Sequence, residues 1–392
     1  MAMFSKHMPE RIRIAYILPT EVRGGVEEHV LSLVKGVDAR RFQTFIVAPP
    51  KLLAALEDDL QSVDTTKIPL RIHNMRDWRG AVDFYRFLKR FQIHIVNTHM
   101  FIATFYYAPL GKLAGVPVLL ETTHLLEKWR LGKGFLRRHS FIIDRIFYRL
   151  LNKVLAVSNA CKRDLVSIKS ITPEKIVVVQ NGRDLANFKP AKINRRGEIR
   201  QAIGIGAEEY VFGVFARLNH QKGHVYLIQA VKLLKDRGVR TIIVCVGDGE
   251  LQEPLCRQCH DYAIADQVFF VGFQKDMPGY LSMVDVMVLP SLYEGLPLCV
   301  IESLAMEKPV IATAVDGTPE LVIPGSTGLL VRAKNPEELA NAMLFAIENR
   351  DTMRRMGENG RRLMLERFSI ERQIRETEEL YMDLCREKGL RV

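Results

Sequence analysis

Short apolar runs of strand length recur along this chain with helical patterns between them, and that alternation leaves few folds open. In the first half the runs fall at 11–18, 44–48, 93–97, 116–121, 154–157 and 176–179. The second half repeats the rhythm at 211–215, 241–246, 268–271 and 286–289, and only helical pattern follows Leu339. Successive strands joined through helices pair in parallel, so the expected class is α/β with doubly wound parallel sheets. With 392 residues the chain has enough length for two such domains, each burying its own core. Residues 189–203, polar and basic, read as the linker and the lead-in to the second domain.

Composition narrows the function classes. Hydrophobic residues at 48% and charged residues at 26% are those of a soluble globular chain. No stretch reaches eighteen uninterrupted apolar residues and residues 1–13 carry no apolar signal core, so the expected location is the cytoplasm. Six scattered cysteines do not form a disulfide framework. Cys256-Arg257-Gln258-Cys259-His260 has haem-attachment spacing, but haem attachment needs export and no second ligand pair completes a zinc site, so a surface helix is expected there.

The net charge of +11 is unevenly placed: residues 1–190 hold 30 Lys and Arg against 17 Asp and Glu, and 191–392 hold 26 against 28. Between 128 and 163, ten basic residues (Lys128, Arg130, Lys133, Arg137, Arg138, Arg145, Arg149, Lys153, Lys162, Arg163) face one acid, Asp144, among Trp129, Leu131, Phe135, Leu136, Phe141, Ile142, Ile143, Phe147 and Tyr148. Three readings stay open for this segment: an anionic membrane surface, a phosphorylated acceptor, or a core-packing helix with a solvated basic face.

Ligands of doubly wound sheets collect at the carboxyl ends of strands, and several chemistry-bearing residues sit there. The first strand delivers Gly24-Gly25 into a helix start, which suits an anion or a plain turn. His99 and His124 each follow a strand end. In the second half, Ala216-Arg217-Leu218-Asn219-His220-Gln221-Lys222-Gly223 places two cations between a strand and a helix, which suits a clamp on a diphosphate. The richest stretch is 290–317: strand, proline stop, glycine turn at Gly295, then a helical run from Leu298. Backbone N–H groups at Leu296 to Cys299 would face a phosphate or sugar oxygens, with Glu294 before the helix and Glu302 one turn into it.

Pro-Ser-x-x-Glu294-Gly-x-Pro-x-x-x-x-Glu302-Ser-x-Ala, followed by Lys308-Pro-Val-Ile-Ala and Gly317-x-x-Glu320, resembles the donor-sugar signature of retaining nucleotide-sugar glycosyltransferases of the GT-B fold, family four. The resemblance runs from residue 11 to about 381 and is more specific in the second half. It implies two Rossmann-like domains facing across a cleft: 1–190 on the acceptor side, 191–366 binding the nucleotide sugar, and 367–392 a helix crossing back to the first. It implies that Arg217 and Lys222 hold the pyrophosphate and Glu294 the sugar hydroxyls, and that Glu302 holds the ribose. Gly295, Leu296, Pro297 and Leu298 would offer backbone to the donor, Val271, Gly272 and Phe273 would cradle the base, Gly24 and Gly25 would lie near the diphosphate, and His124 would face the donor sugar. Arg183 departs from the pattern, where an aliphatic residue is usual.

The expected function is therefore transfer of a hexosyl group from a UDP- or GDP-linked sugar to a glycan or lipid-linked acceptor with retention, in envelope polysaccharide or lipopolysaccharide assembly. No Asp-x-Asp stands at a strand end, so no metal and no cofactor are expected and protein groups would neutralise the leaving diphosphate. His124, Arg217, Lys222 and Glu294 are the expected catalytic set. The rivals are a nucleic-acid-binding or membrane-binding protein, for which no finger, RNP or repeat signature is present, and a GT-B phosphorylase or nucleotide-sugar epimerase.

Overall fold

A computed structural model describes residues 11–72, 74, 76–126, 142–190 and 195–390. The chain forms two compact units, one holding everything up to Asn181 together with the segment from Ile370 on, the other Gly182–Ser369.

The first unit contains β1 (Ile12–Ile17), β2 (Phe42–Ala48), β3 (Thr65–Pro69), β4 (Ile95–His99), β5 (Val118–Thr123), β6 (Lys153–Ala156) and β7 (Ile176–Val178). They pair in parallel in the order β3-β2-β1-β4-β5-β6-β7, with Tyr16 beside Ile46 on one flank and Asn97 on the other. Both faces are covered, which is why β1 reads as a nearly continuous apolar run. Ala15, Phe45, Val96 and Phe84 pack in one layer, and Tyr16, Ile46, Val30 and Leu120 in the other. The terminal helix Ile370–Glu387 belongs to this second layer: Tyr381 is fully buried and its hydroxyl accepts from Asn97 Nδ2 at 2.9 Å.

The second unit contains β8 (Val211–Phe215), β9 (Ile242–Val246), β10 (Val268–Phe270), β11 (Val286–Leu289), β12 (Val310–Thr313) and β13 (Gly328–Val331), parallel in the order β10-β9-β8-β11-β12-β13. In both sheets the order reverses direction beside the first strand, between β1 and β4 and between β8 and β11. At such a switch point the loops leaving the carboxyl ends diverge and leave a crevice within the unit.

Three strands escaped the periodicity argument. Thr-Thr-Lys-Ile-Pro of β3 is a half-exposed edge strand, where burial imposes little apolar pattern; the other two are β12 and β13. The boundaries also differ from the expected 190/191 and 366/367. Phe188 is buried and its carbonyl accepts from Arg361 Nη1 at 2.7 Å, which ties the segment after Asn181 to the second unit; Phe368 is fully buried there too. Nor is 189–203 a plain linker, since Arg196–Ala202 is helical. Its Arg200 is 1% exposed, donating to Met283 O at 2.9 Å and to Asp285 Oδ2 at 2.9 Å. A buried arginine that satisfies backbone carbonyls and a carboxylate is indistinguishable from linker charge by composition alone.

Of the basic segment, Lys128, Arg130, Lys133, Arg137, Arg138, Trp129, Leu131, Phe135, Leu136 and Phe141 lie outside the described residues. The described part, 142–163, is not one helix: the short helix Ile142–Tyr148 exposes Ile142, Ile143 and Ile146 at 41%, 55% and 57%, Lys153 opens β6, and Lys162 and Arg163 stand on a separate helix, Asn159–Ser167. Asp144, the one acid of the segment, is fully buried and paired with Lys169 at 3.1 Å. The Cys256–Cys259 helix is only partly a surface element, because Cys259 is buried in the core. Among the described residues no helix is long and apolar enough to cross a membrane.

Candidate functional site

In the second unit the two loops that flank the switch point lock together. After β8 the chain runs through Arg217 into a tight turn, His220–Lys222, capped by Asn219. Gly223 then adopts φ +66°, and a β-carbon there would collide with the Pro290 carbonyl. That close approach brings Lys222 against the loop after β11. Leu292 N donates to Gln221 O at 2.7 Å, Gln221 Nε2 to Tyr293 O at 2.9 Å, and Thr313 Oγ1 to Ser291 O at 2.5 Å. The Glu294 amide donates to Asp316 Oδ2 at 2.8 Å.

So held, the Glu294 side chain is 6% exposed and accepts from Lys222 Nζ at 2.5 Å and Ser291 Oγ at 2.7 Å. Burial opposes the Lys222 charge, but the Glu294 carboxylate outweighs it and keeps the ammonium above its ordinary range; the Arg217 charge acts on it in the opposite sense. Arg217 is exposed at the same strand end. The structure therefore brings Arg217, Lys222 and Glu294 to one place in the fold. Beside them, Gly295 and Leu296 lead to Pro297, which caps the helix Leu298–Ala305 with no side-chain cap. Glu302 is one turn into that helix, its side chain 8% exposed and paired with Arg183 Nε at 2.6 Å. Burial pushes the thiol of Cys299, in the same turn, up to about 12.

The neighbouring loops complete the carboxyl end of the sheet. Gly247 N donates to Gly272 O at 2.9 Å, and a β-carbon at Gly247 would strike the Ala216 carbonyl, so the loops after β8, β9 and β10 stack backbone to backbone. Val271 and Gly272 are half-buried, and Phe273 is 63% exposed, an aromatic face open to stacking.

In the first unit Gly24 precedes the helix Gly25–Gly36, and a β-carbon at Gly25 would meet nothing within 4 Å. One turn on, His29 points into the same strand-end region as His99 and His124. His99 Nδ1 and His124 Nε2 are 2.9 Å apart, the His29 and His124 rings meet edge-on at 4.7 Å, and His29 Nδ1 lies 2.9 Å from Asn181 Oδ1. Burial lowers His29 to about 4 and takes His99 and His124 well below their ordinary range, with the His29 charge adding to both. All three are neutral imidazoles at neutral pH, suited to direct a hydrogen bond rather than to supply charge. Their ligand atoms lie within 4.8 Å of one another, a donor set that could take a metal ion, which the absence of Asp-x-Asp had not anticipated. However, the facing nitrogens of His99 and His124 are already engaged with each other.

Two family models match the chain, one described as glycosyltransferase family 4 over residues 23–187 and one as glycosyl transferases group 1 over 195–363. The chain belongs to the family-four glycosyltransferases. Over 385 residues this glycosyltransferase is 25% identical to the UDP-Gal:alpha-D-GlcNAc-diphosphoundecaprenol alpha-1,3-galactosyltransferase of Escherichia coli, covering 97% of this chain and 99% of the relative. It is 27% identical over 318 residues to alpha-maltose-1-phosphate synthase of Mycobacterium tuberculosis, covering 74% and 79%. Among solved structures, Anabaena HepE in complex with UDP superposes with a TM-score of 0.82 at 20% identity, covering 95% of this chain and all of that one. The GT-B fold of the glycosyltransferase, with its two parallel-sheet α/β units, is thereby established.

Several site residues carried no signal of their own in sequence. His29 looks like one polar position on an amphipathic helix, and Gln221 and Asp316 look like loop polarity. Ser291 was visible inside the Pro-Ser frame, but its hydrogen bond to Glu294 was not.

Proposed function

We propose that this glycosyltransferase moves a hexosyl group from a nucleoside diphosphate sugar, UDP- or GDP-linked, to a lipid-linked or glycan acceptor, with retention of configuration and without a metal. The observation that carries this reading is the convergence of Lys222 and Ser291 on buried Glu294, beside Arg217, at the β8/β11 switch point. A cation pair next to an uncapped helix start suits a diphosphate, and an anchored carboxylate suits sugar hydroxyls. Lys222 and Arg217 would neutralise the leaving diphosphate, the Leu298 end of the helix would offer amide donors, Glu294 would accept from the hexose, and Glu302 would accept from the ribose. Phe273 would stack on the base, with Val271 and Gly272 beside it. Gly24 and Gly25 would sit near the diphosphate, and neutral His124, oriented by His99, would donate to the transferred sugar. The donor class is supported by the E. coli relative, named for UDP-Gal and a diphosphoundecaprenol acceptor, and by HepE, solved with UDP.

A panel of UDP- and GDP-sugars tested by thermal shift should raise the melting temperature for one donor in step with the logarithm of its concentration. Transfer to a lipid diphosphate acceptor should persist in EDTA and give the donor's anomeric configuration by NMR. Activity abolished by the chelator and restored by a divalent cation would overturn the metal-free mechanism and turn attention to the three histidines.

Work at the cytoplasmic face of a membrane, in envelope polysaccharide assembly, is the location we propose. It is supported by the exposed Ile142, Ile143 and Ile146 interleaved with Arg145 and Arg149. Replacing the three isoleucines by Ser should abolish flotation with vesicles containing anionic phospholipid; unchanged flotation, or no preference for anionic lipid in the parent, would remove this part.

A further inference from the structure

We propose that Arg183 is a positioning residue for the donor's ribose, holding the Glu302 carboxylate in the one orientation that accepts from both vicinal hydroxyls; this rests on the donor reading above. The pair is short, with Arg183 Nε 2.6 Å from Glu302 Oε1, and it is sheltered, with side chains 23% and 8% exposed. A contact of that length is a charge-assisted hydrogen bond rather than a loose surface attraction.

Arg183 is fixed at its root. Its amide donates to Phe368 O at 3.0 Å, and the residue pairs with Ser369 in an isolated parallel bridge. Backbone bonds therefore fix where the side chain starts, within reach of Glu302 in the same unit. Glu302 itself stands on the helix Leu298–Ala305, whose start is the candidate anion site. An ionised carboxylate only accepts hydrogen bonds, which matches a diol that offers two O–H donors, but a glutamate on its flexible stem samples several planes. The planar guanidinium selects one of them, which the point charge of a lysine does not. Arg183 thereby makes nucleotide affinity depend on the ribose hydroxyls without touching them.

The test is a binding cycle on the full chain by isothermal titration calorimetry, using whichever of UDP and GDP binds more tightly and its 2′,3′-dideoxy counterpart. Arg183→Ala should weaken the ribonucleotide about tenfold, the scale of losing one charged hydrogen bond, and the dideoxynucleotide less than about twofold. Arg183→Lys, which keeps the charge and serves if the alanine variant does not fold, should show the same hydroxyl-dependent loss at about threefold. Equal losses on both nucleotides, or none on either, would overturn the proposal and leave the ion pair structural. Failure of the parent protein to bind either ribonucleotide would instead bring down the donor reading itself.

Discussion

Lys222→Ala should lower transfer by roughly 100-fold or more, because it removes a preorganised charge facing the leaving diphosphate. Lys222 is held there by construction: the left-handed Gly223 and the Gln221 bonds press its turn onto the Pro290–Glu294 loop. The ammonium has two duties, one toward phosphate and one toward Glu294 at 2.5 Å. Its removal also leaves a buried carboxylate without its cation, so Glu294→Gln and Lys222→Ala should combine with far less than additive loss. Arg217→Ala, at an exposed residue with no such pair among the described residues, should cost activity on the same scale with additivity toward Glu294→Gln. Steady-state kinetics of the three single and two double variants decide the matter. Lys222→Ala turnover within threefold of the parent would remove the lysine from the chemistry.

Lys169→Met should destabilise the first unit by about 3–5 kcal/mol, the cost of leaving one partner of a buried ion pair uncompensated. Lys169 and Asp144 are both fully buried, 3.1 Å apart, and the ammonium also donates to Tyr148 Oη at 3.1 Å and lies 4.8 Å from the Phe101 ring centre. Tyr148 passes the network on to Glu121 at 2.7 Å, which Thr104 and Thr123 also bind. Burial raises the Glu121 carboxyl above its ordinary range despite the nearby Lys169, so removing that charge drives Glu121 further toward its neutral acid and leaves Asp144 without a cation. Urea unfolding followed by a first-unit probe such as Trp78 fluorescence measures the loss. Asp144→Asn in the Lys169→Met background should recover part of it, since the methionine then faces a neutral amide; a midpoint unchanged in Lys169→Met would show that the pair contributes nothing. Thr122-Thr123-His124 follows Glu121 directly, so loosening this network should also disorder the His99–His124 contact.

Much of this protein could be read along the chain, and the reasons are local. Central strands such as β1, β8 and β11 are buried on both faces, so their apolar runs stand out, whereas edge strand β3 is half-exposed and does not. Arg217, Lys222, Glu294 and Glu302 could be placed at strand ends and helix starts by their offsets from apolar runs and glycine turns, whereas the roles proposed for them rest on the resemblance. The linker was misread because Arg200, a buried structural cation, has the same letter as a solvated one.

Alternating periodicity and strand-end spacing, by themselves, determined two doubly wound sheets and put Arg217, Lys222, Glu294 and Glu302 in the loops and helix start that follow β8 and β11. Those features depend only on residues close in sequence, where turn chemistry and burial repeat at fixed intervals. Tertiary structure alone decided the partners: Lys222 on Glu294, Arg183 on Glu302, His29 beside His124, and Lys169 buried against Asp144. Each of those pairs joins residues on different segments, and long-range packing, not local pattern, sets which charge is desolvated and what it must face.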